Sequence, residues 1–463
     1  MTRARQKTVD MTEGSIFGKL LAFAFPLMLS GILQSLYNAA DNLVVGRFAS
    51  EAALAAVGAC GSISSLLVAV FISISVGTSV TVAHAVGAKD QARTERLVHT
   101  TVTLSLLLGT FVSIVGVLLS RPLLVMMNTP ADILDMATDY LRLYCAGALF
   151  SIFYNFGAAI LRAAGDSKRP LYFLAISGAV NVGLNLVFVI ELGMTADGVA
   201  LATAISQALS AVLVLFALLR RNDDCQLFLR SLRVCRRELA DILRIGIPAA
   251  IQGALFSISN MMVQSTVNLF DTPAVAGNTA ARQLDDFVWM ATSSVGVASV
   301  TAIGQNMGAR KFSRIPRALL SCLLVGTLTS ALMGAVVYLS APSLLYLFLP
   351  NGGPAMEFAL IRIAILTTTY FLAAWMDTLS NIIRGLGYSL LPMVVSVFGV
   401  CGIRMLWILL IFPLAPTYET AFYCFPVSWL LTAAAHLLCF FILFRRTRRG
   451  ISENEKASDT SNI

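Results

Sequence analysis

The segment GKLLAFAFPLMLSGI, residues 18–32, returns later in the chain as ADILRIGIPAAIQGA, residues 240–254. Pro26 of the first copy aligns with Pro248 of the second, and the spacing of these two prolines defines the offset between the copies. Both copies are largely apolar, and each opens a longer apolar run. A segment that returns with its proline in register indicates that the chain contains an internal repeat.

Two further pairs of segments support this repeat. LRAAGDSKRP at 161–170 resembles IRGLGYSLLP at 383–392, at the same offset as the two prolines. VGAKD at 86–90 resembles MGARK at 307–311, at an offset that is shorter by a single position. Agreement at three separated places predicts two similar halves joined in one chain.

The composition is that of a membrane protein. Hydrophobic residues make up 57% of the chain and charged residues 13%, whereas soluble proteins carry about 25% charged residues. The mean hydropathy is +0.80. The N-terminal segment is polar and basic, and the apolar run after it is too long for a signal peptide. That run therefore predicts a first membrane span.

Twelve apolar runs, six in each half, reach the length of about 20 residues that a helix needs to cross a bilayer. The sequence thus predicts an all-α integral membrane protein with twelve transmembrane helices in two pseudo-symmetric six-helix lobes. The runs lie between Lys19 and Asp41, Glu51 and His84, His99 and Arg121, Arg142 and Arg162, Pro170 and Glu191, Asp197 and Arg220, Arg244 and Asp271, Asp286 and Arg310, Arg317 and Glu357, Arg362 and Arg384, Pro392 and Pro413, and Glu419 and Arg445.

The basic residues predict the orientation of these spans. Lys and Arg concentrate in alternate connections, as expected for cytoplasmic loops, so both termini are predicted to be cytoplasmic. The net charge of +8 then reflects topology, and no nucleic-acid partner is expected. The predicted domains are an N-terminal tail (1–15), an N-lobe (16–220), a cytoplasmic linker (221–241), a C-lobe (242–445) and a C-terminal tail (446–463).

Because each half has six spans, both halves start on the same side of the membrane. Their symmetry axis then lies along the membrane normal. In transporters built this way the substrate site lies between the repeats near the bilayer midplane, and one repeat rocks against the other. The repeat therefore favours a transporter.

Asp41 ends a polar stripe on the first span. Ser30, Gln34, Tyr37 or Asn38, and Asp41 recur at a spacing of three or four residues, so they share one helix face. A charge within a span costs about 2.5–3.5 kcal/mol on insertion scales and marks a functional site. We interpret this carboxylate as a cation or proton site. Its alternative is a solvated position at the outer membrane surface.

The fifth and sixth spans carry neutral polar residues on single faces. If these faces meet Asp41, one carboxylate with amide and hydroxyl oxygens would surround a small cation or let Asp41 bind a proton. Hydrogen bonding between helices is the alternative role. The residues are Ser177, Asn181 and Asn185 on the fifth span and Thr203, Gln207 and Ser210 on the sixth.

Two more ionisable residues fall inside spans. Asp377 lies within the tenth span and Arg404 near the middle of the eleventh. Charges in membranes usually pair, so a structural Asp377–Arg404 ion pair is one interpretation. The other makes Asp377 a second proton site or a contact for a cationic substrate.

Methionine and aromatic side chains suit adaptable apolar cavities, although in a span they more often serve packing. The predicted cavity residues are Gln34, Tyr37, Asn38, Met261, Met262, Trp289, Met290 and Tyr370.

The sequence lacks the motifs of several other classes. It holds no HExxH, no Walker-type GK[ST], no GxSxG and no CxxC pair, so ATP-driven pumping and hydrolysis lack their residues. The eight cysteines are scattered and are expected to be buried thiols. We expect no enzymatic activity and no cofactor. A lipid-linked oligosaccharide flippase, a membrane enzyme and a channel remain alternatives.

Five segments together resemble the MATE (multidrug and toxic compound extrusion) family over about residues 12–445. The resemblance implies a V-shaped pair of six-helix lobes that exports organic cations and drugs in exchange for Na+ or H+. The segments are FPLMLSGILQSLYNAADNLVVGRF (25–48), HAVGAKD (84–90), LRAAGDSKRP (161–170), NVGLNLVFV (181–189) with GVALATAISQ (198–207), and WMDTLSNIIRGLGYSLLP (375–392).

Position by position, the resemblance implies that Asp41 is the cation-site aspartate, with Asn181 and Thr203 as neutral partners. Asn185 stands where one branch of the family has a second aspartate. Asp377 matches the tenth-span acid of another branch, whose seventh-span acid is missing here. We therefore expect a monomeric antiporter in the lipid bilayer, with small amphipathic cations as substrates and Na+ or H+ as the coupling ion.

Overall fold

The structure is a computed structural model that describes residues 8–48, 50–346, 348–349 and 352–461. All regular secondary structure in these ranges is helical, and twelve helical segments are long and apolar enough to cross a membrane. The predicted all-α architecture and its twelve spans are confirmed. The spanning helices are α1 (Ile16–Phe48), α2 (Glu51–Gly87), α3 (Gln91–Met126), α4 (Ala131–Ala163), α5 (Lys168–Leu186), α6 (Ala196–Leu219), α7 (Arg236–Val267), α8 (Thr272–Gly308), α9 (Ile315–Leu345), α10 (Pro354–Gly385), α11 (Leu390–Ser396) with α12 (Ile403–Leu406), and α13 (Tyr418–Ser461).

The fifth and eleventh spans contain π-helical turns. Val187–Glu191 continues α5, and Val397–Gly402 and Trp407–Ile411 flank α12. At the offset of the repeat, Val187 corresponds to Leu409, which lies in the last of these turns. One widened turn therefore recurs at overlapping positions in the two repeats, whereas Val397–Gly402 corresponds to residues 175–180, which are α-helical in α5. Such turns are frequent at functional sites.

Most helices extend beyond the charged residues that bounded the predicted spans. Arg93 and Arg96 lie in the first turns of α3, and Arg362 lies in the third turn of α10. Caps set several ends instead: the Ser50 hydroxyl accepts the Ala53 N–H at 3.1 Å, and the Asp90 carboxylate accepts the Arg93 N–H at 2.9 Å. A side-chain acceptor at a helix start satisfies one of the free backbone donors there.

One face of α3 is apolar and exposed, as expected of a helix against lipid. Leu107, Phe111, Ile114 and Leu118 are 55–70% exposed and follow one another at helical spacing. In water such a continuous apolar face would be unusual for a monomeric protein. The exposed face is consistent with a lipid-facing helix.

The first compact unit contains residues 8–9 and 25–254. It therefore includes the first half of α7, which ion pairs attach to α3: Arg96 with Glu238 at 2.7 Å and Arg93 with Asp241 at 2.9 Å. Close packing on α2 adds to this, since a Cβ on Gly77 would lie 2.1 Å from the Ile242 carbonyl oxygen.

The second compact unit contains residues 10–24 and 255–461 of the described chain. The buried Met11 donates its backbone N–H to Gln305 Oε1 at 2.9 Å, and its carbonyl oxygen accepts from Asn306 Nδ2 at 3.1 Å. These bonds explain why the start of α1 groups with the second half of the chain. The unit boundaries near residues 24 and 254 thus differ from the predicted lobe boundaries at 220 and 242.

Candidate functional site

Asp41 lies in a polar cluster with Asn181, Asn185 and Thr203, all within the first unit. Asn185 Nδ2 donates to Asp41 Oδ1 at 2.5 Å, and the Thr203 hydroxyl donates to Asp41 Oδ2 at 3.4 Å. Asn185 Nδ2 also lies 3.3 Å from Asn181 Oδ1, and Asn181 Nδ2 donates to Thr203 Oγ1 at 3.4 Å. The structure therefore brings together all four residues predicted from the first, fifth and sixth spans.

Helical periodicity and neighbouring helices produce this cluster. Asn181 and Asn185 are four residues apart on α5, so both face the same neighbours. They are 4% and 0% exposed, and Thr203 reaches them from the adjacent α6. Asn185 Oδ1 is buried and has no hydrogen-bond partner, so one strong acceptor in the cluster is unused. Among the described residues, no Lys or Arg forms an ion pair with Asp41.

Apolar side chains close one side of the cluster. Val44 and Val45 follow Asp41 on α1. They belong to one apolar cluster with Val189, in the π-helical turn that continues α5, and with Val199, which precedes Thr203 on α6. All four valines are buried. The partly buried Asp41 carboxylate therefore has an apolar layer beside it, and less polar surroundings strengthen its interaction with a cation or proton.

The other members of the predicted stripe on α1 have different roles. The Ser30 hydroxyl donates to the Pro26 carbonyl oxygen at 2.9 Å, within its own helix. The Tyr37 ring occupies the space above Gly178, since a Cβ there would lie 1.2 Å from Tyr37 Cε1. Gln34 is half-buried, and the side chain of Asn38 lies outside the described part of the chain.

The remaining polar residues of the fifth and sixth spans do not contact Asp41. The Ser177 hydroxyl donates to the Leu174 carbonyl oxygen at 3.1 Å, within α5. Gln207 and Thr203 line a cavity of about 30 Å³ whose other walls include Tyr144 and Asn155. In the described structure the hydrogen-bonded cluster at Asp41 therefore consists of Asn181, Asn185 and Thr203, of which Asn185 and Thr203 bond the carboxylate directly.

The second unit contains a cavity of about 250 Å³ lined by aromatic and charged side chains. A buried ion pair forms part of its wall, with Arg362 Nη2 2.7 Å from Asp285 Oδ2. The Arg362 guanidinium also donates to Asn278 Oδ1. The aromatic residues of the wall are Phe256, Trp289, Tyr370, Phe422, Phe425 and Trp429.

Asp377 and Arg404 do not form the predicted ion pair. Asp377 Oδ2 accepts from Asn381 Nδ2 at 3.1 Å. The same oxygen lies against Gly296, since a Cβ added to Gly296 would be 2.3 Å from it. Arg404 donates through Nη1 to Asn260 Oδ1 at 2.9 Å. The two side chains therefore have separate hydrogen-bond partners, and Asn381, the partner of Asp377, also accepts from Arg384. Arg362 with Asp285 is a buried ion pair of this unit.

A family model described as MatE matches residues 26–187 and 248–410. The chain belongs to the MatE family. The two matches begin at Pro26 and Pro248, the prolines that define the offset of the internal repeat. The family and the duplicated architecture predicted from the sequence are confirmed.

Named relatives cover most of this MatE chain. The probable multidrug resistance protein YoeA of Bacillus subtilis is 29% identical over 408 residues, 86% of this chain and 87% of the relative. The probable multidrug resistance protein NorM of Thermotoga maritima is 24% identical over 394 residues, 84% of each chain. A crystal structure of MATE in complex with MaL6 aligns with a TM-score of 0.89 at 23% identity, over 96% of this chain and 100% of the other. At 23% identity this structural similarity shows that the two chains share a fold.

The predicted cavity residues of this MatE protein divide into two groups. Trp289 and Tyr370 line the cavity of the second unit, whereas Met261, Met262 and Met290 do not. Met261 is 68% exposed and fits a surface in contact with lipid. A methionine on an apolar helix carries no sequence signal that separates a lipid-facing position from a cavity wall.

Several cavity residues give only a weak signal in the sequence. Asp285 and Arg362 lie at the ends of apolar runs, although they are 3% and 9% exposed in the structure. Asn260 and Asn278 are polar residues within apolar helices, and such residues can be found by their helical spacing to other polar groups. The same signal identified Asn181 and Asn185.

Proposed function

We propose that this MatE chain is a secondary antiporter that exports small amphipathic organic cations and drugs in exchange for H+ or Na+. The proposal places it as a monomer in the plasma (inner) membrane with both termini cytoplasmic. The names of YoeA and NorM, each called a probable multidrug resistance protein, support a multidrug substrate range. The single observation that carries the coupling mechanism is the lone carboxylate of Asp41 among three neutral partners.

Asp41 is suited to an exchangeable ion because no Lys or Arg among the described side chains forms an ion pair with it. A carboxylate next to an arginine would stay ionised and paired, whereas Asp41 has only an amide and a hydroxyl as partners. Partial burial beside an apolar layer makes the charge less favourable unless a proton or a cation joins it. Release of that proton or cation then leaves the Asn185 and Thr203 hydrogen bonds to hold the carboxylate.

The same residues offer oxygen ligands for Na+. Hard cations prefer carboxylate, amide and hydroxyl oxygens, and Asp41, Asn181 and Thr203 supply one of each kind. Asn185 points its Nδ2 at Asp41 while its Oδ1 has no partner. Flipping this amide end for end would exchange the donor for an oxygen ligand, so Asn185 can serve either the free carboxylate or a bound cation.

The cavity of the second unit is the proposed substrate site. Drug-sized ligands bind in pockets lined by aromatic side chains with a few polar groups, which is the character of the wall around Trp289 and Tyr370. Asp286 also faces the cavity and would attract the positive group of a cationic substrate. Ion binding at Asp41 and substrate binding at this cavity would then favour different conformations, as alternating access requires.

A lipid-linked oligosaccharide flippase is the second candidate. Three arginines, Arg282, Arg362 and Arg404, line the cavity, and basic residues are what that function expects. Asp285 neutralises Arg362, and a cavity of about 250 Å³ matches a drug-sized body better than an oligosaccharide. The drug exporter therefore accounts for more of the observed geometry.

Purified protein in liposomes tests the proposal. An imposed Na+ gradient or H+ gradient should drive accumulation of a fluorescent organic cation by wild type. Asp41→Asn should abolish that accumulation, whereas Asp135→Asn, an exposed carboxylate paired with Arg121, should leave it intact. Full gradient-driven transport by Asp41→Asn would rule out the Asp41 mechanism.

A further inference from the structure

Among the residues that the structure describes, Arg404 is a buried cation without an acidic partner. Its side chain is 4% exposed and lines the cavity of the second unit. Nη1 donates to Asn260 Oδ1 at 2.9 Å, and Nε donates to Ser428 Oγ at 3.3 Å. The guanidinium carbon lies 4.1 Å from the centre of the Phe425 ring. All of these partners are neutral.

The carboxylates facing the same cavity are not available to Arg404. Asp285 is bound by Arg362 at 2.7 Å. Asp286, on the same helix, forms no ion pair with Arg404 among the described residues. The helices packed around Arg404 contribute Asn260 from α7, Tyr370 from α10, and Phe425 with Ser428 from α13. The positive charge of Arg404 is therefore uncompensated in the described part of the cavity.

A buried, uncompensated charge of this kind indicates a structural or functional role for the residue. An ionised group inside a membrane is expensive, and those that occur usually pair or line a substrate pathway. A cation–π contact and two neutral hydrogen bonds offset part of the cost. They leave three of the five guanidinium N–H donors for a further acceptor.

We propose that Arg404 binds the carboxylate of amphipathic organic anions, so that the cavity accepts aromatic carboxylates as well as cations. The planar guanidinium matches a carboxylate in a bidentate fashion. Aromatic rings continue from Phe425, with Trp429 5.6 Å from Phe425 and 5.5 Å from Tyr370 between ring centres. These rings provide an apolar surface for the body of the ligand. The inference rests on the proposed function in treating this cavity as the substrate site.

Equilibrium binding of pyrene probes tests the inference. The chain's four tryptophans, Trp289, Trp375, Trp407 and Trp429, all lie in the second half of the sequence. Trp289 and Trp429 line the cavity, so energy transfer from tryptophan to pyrene that saturates with probe concentration, above the non-saturating part from probe dissolved in lipid, reports a ligand near the cavity. The probes are 1-pyrenebutyrate, its methyl ester, and a trimethylammonium analogue with the same chain length, each titrated into the full-length protein in nanodiscs.

Wild type should bind 1-pyrenebutyrate at least about 10-fold more tightly than the ester, as expected for a charge-assisted hydrogen bond. Arg404→Gln should remove this preference while ester binding changes less than about 2-fold, which also shows that the cavity remains folded. Arg404→Lys should keep part of the preference, because it retains the charge without the bidentate geometry.

Equal binding of acid and ester by wild type would overturn the inference, as would an unchanged preference in Arg404→Gln. A purely structural Arg404 would instead lower acid and ester binding together. The titration needs no ion gradient, so it is independent of coupling at Asp41. Asp41→Asn should keep the carboxylate preference even if it has lost transport, which separates a failure of this inference from a failure of the proposed function.

Discussion

Asn185 on α5 donates its side-chain amide N–H to Asp41 on α1, with Nδ2 2.5 Å from Oδ1. The same amide reaches Asn181 Oδ1 at 3.3 Å. Asn185 therefore connects the only carboxylate of the cluster to its neutral oxygens. In a membrane interior this contact replaces the water that a free carboxylate would otherwise bind.

Replacing Asn185 with leucine should impair ion-driven transport severely. The change keeps the approximate size of the side chain but leaves Asp41 without its shorter hydrogen bond, and an unsatisfied buried acceptor costs about 1–3 kcal/mol. Ser177→Ala is the matched control on the same helix, since the Ser177 hydroxyl donates to the Leu174 carbonyl oxygen within α5 and is not among the hydrogen-bond partners of Asp41 in the described residues. Transport rates in liposomes should fall at least about 10-fold for Asn185→Leu and stay near wild type for Ser177→Ala. Equal rates in both variants would argue against a role for Asn185.

Gly178 should be intolerant of alanine because Tyr37 occupies the space of its missing side chain. A Cβ on Gly178 would lie 1.2 Å from a Tyr37 ring atom, whereas a Cβ on Gly183 of the same helix meets nothing within 4 Å. Gly178→Ala should therefore lower thermal stability in detergent, by at least the about 1–3 kcal/mol of an overpacked site. Gly183→Ala should be neutral or stabilising, since alanine favours helix over glycine by about 1 kcal/mol. Similar melting temperatures for the two variants would contradict the Tyr37 placement.

The buried pair of Arg362 and Asp285 should contribute strongly to the stability of the second unit. Arg362→Met leaves the buried Asp285 without its ion-pair partner, and breaking a buried pair costs about 3–5 kcal/mol. Arg121→Met is the matched control, because its partner Asp135 is 81% exposed and such surface pairs contribute about 0–1 kcal/mol. Denaturant unfolding in mixed micelles measures both variants. The double variant Arg362→Met with Asp285→Asn should recover part of the loss.

Gly296 should be required for the placement of Asp377. A Cβ at Gly296 would lie 2.3 Å from Asp377 Oδ2 and 2.6 Å from Asn381 Nδ2. Gly296→Ala therefore displaces the carboxylate, whereas Gly326→Ala meets its nearest atoms at 3.6 Å, an ordinary contact distance. We expect Gly296→Ala to reduce transport and stability together, and Gly326→Ala to retain both. A fully active Gly296→Ala protein would show that the position of Asp377 is unimportant.

The fold and the cluster at Asp41 were accessible from the sequence for two physical reasons. Lipid forces each span to be a long apolar helix, so hydropathy alone gives the count of twelve. Polar residues at helical spacing within such a helix stand out, which is how Asn181, Asn185 and Thr203 were found. Their meeting at Asp41 follows from helix faces that must satisfy one another away from water.

The charged residues of the second unit were less predictable. Asp285 and Arg362 lie near the ends of apolar runs, where a charge also marks a helix boundary. Pairing depends on the rotation of each helix about its axis, which side-chain packing determines. For that reason the sequence made Asp377 and Arg404 plausible partners of each other. The structure instead pairs Arg362 with Asp285.

Reverse coupling is the most direct measurement of the central claim that Asp41 couples ion movement to export. Liposomes containing wild-type protein are loaded with an organic cation, with no initial Na+ or pH gradient, and then diluted. Outflow of the cation should drive H+ or Na+ inward, because coupling between two ligands is reciprocal, and Asp41→Asn should abolish that ion movement. Ion movement of wild-type size in Asp41→Asn, or no ion movement in wild type during cation outflow, would contradict the account.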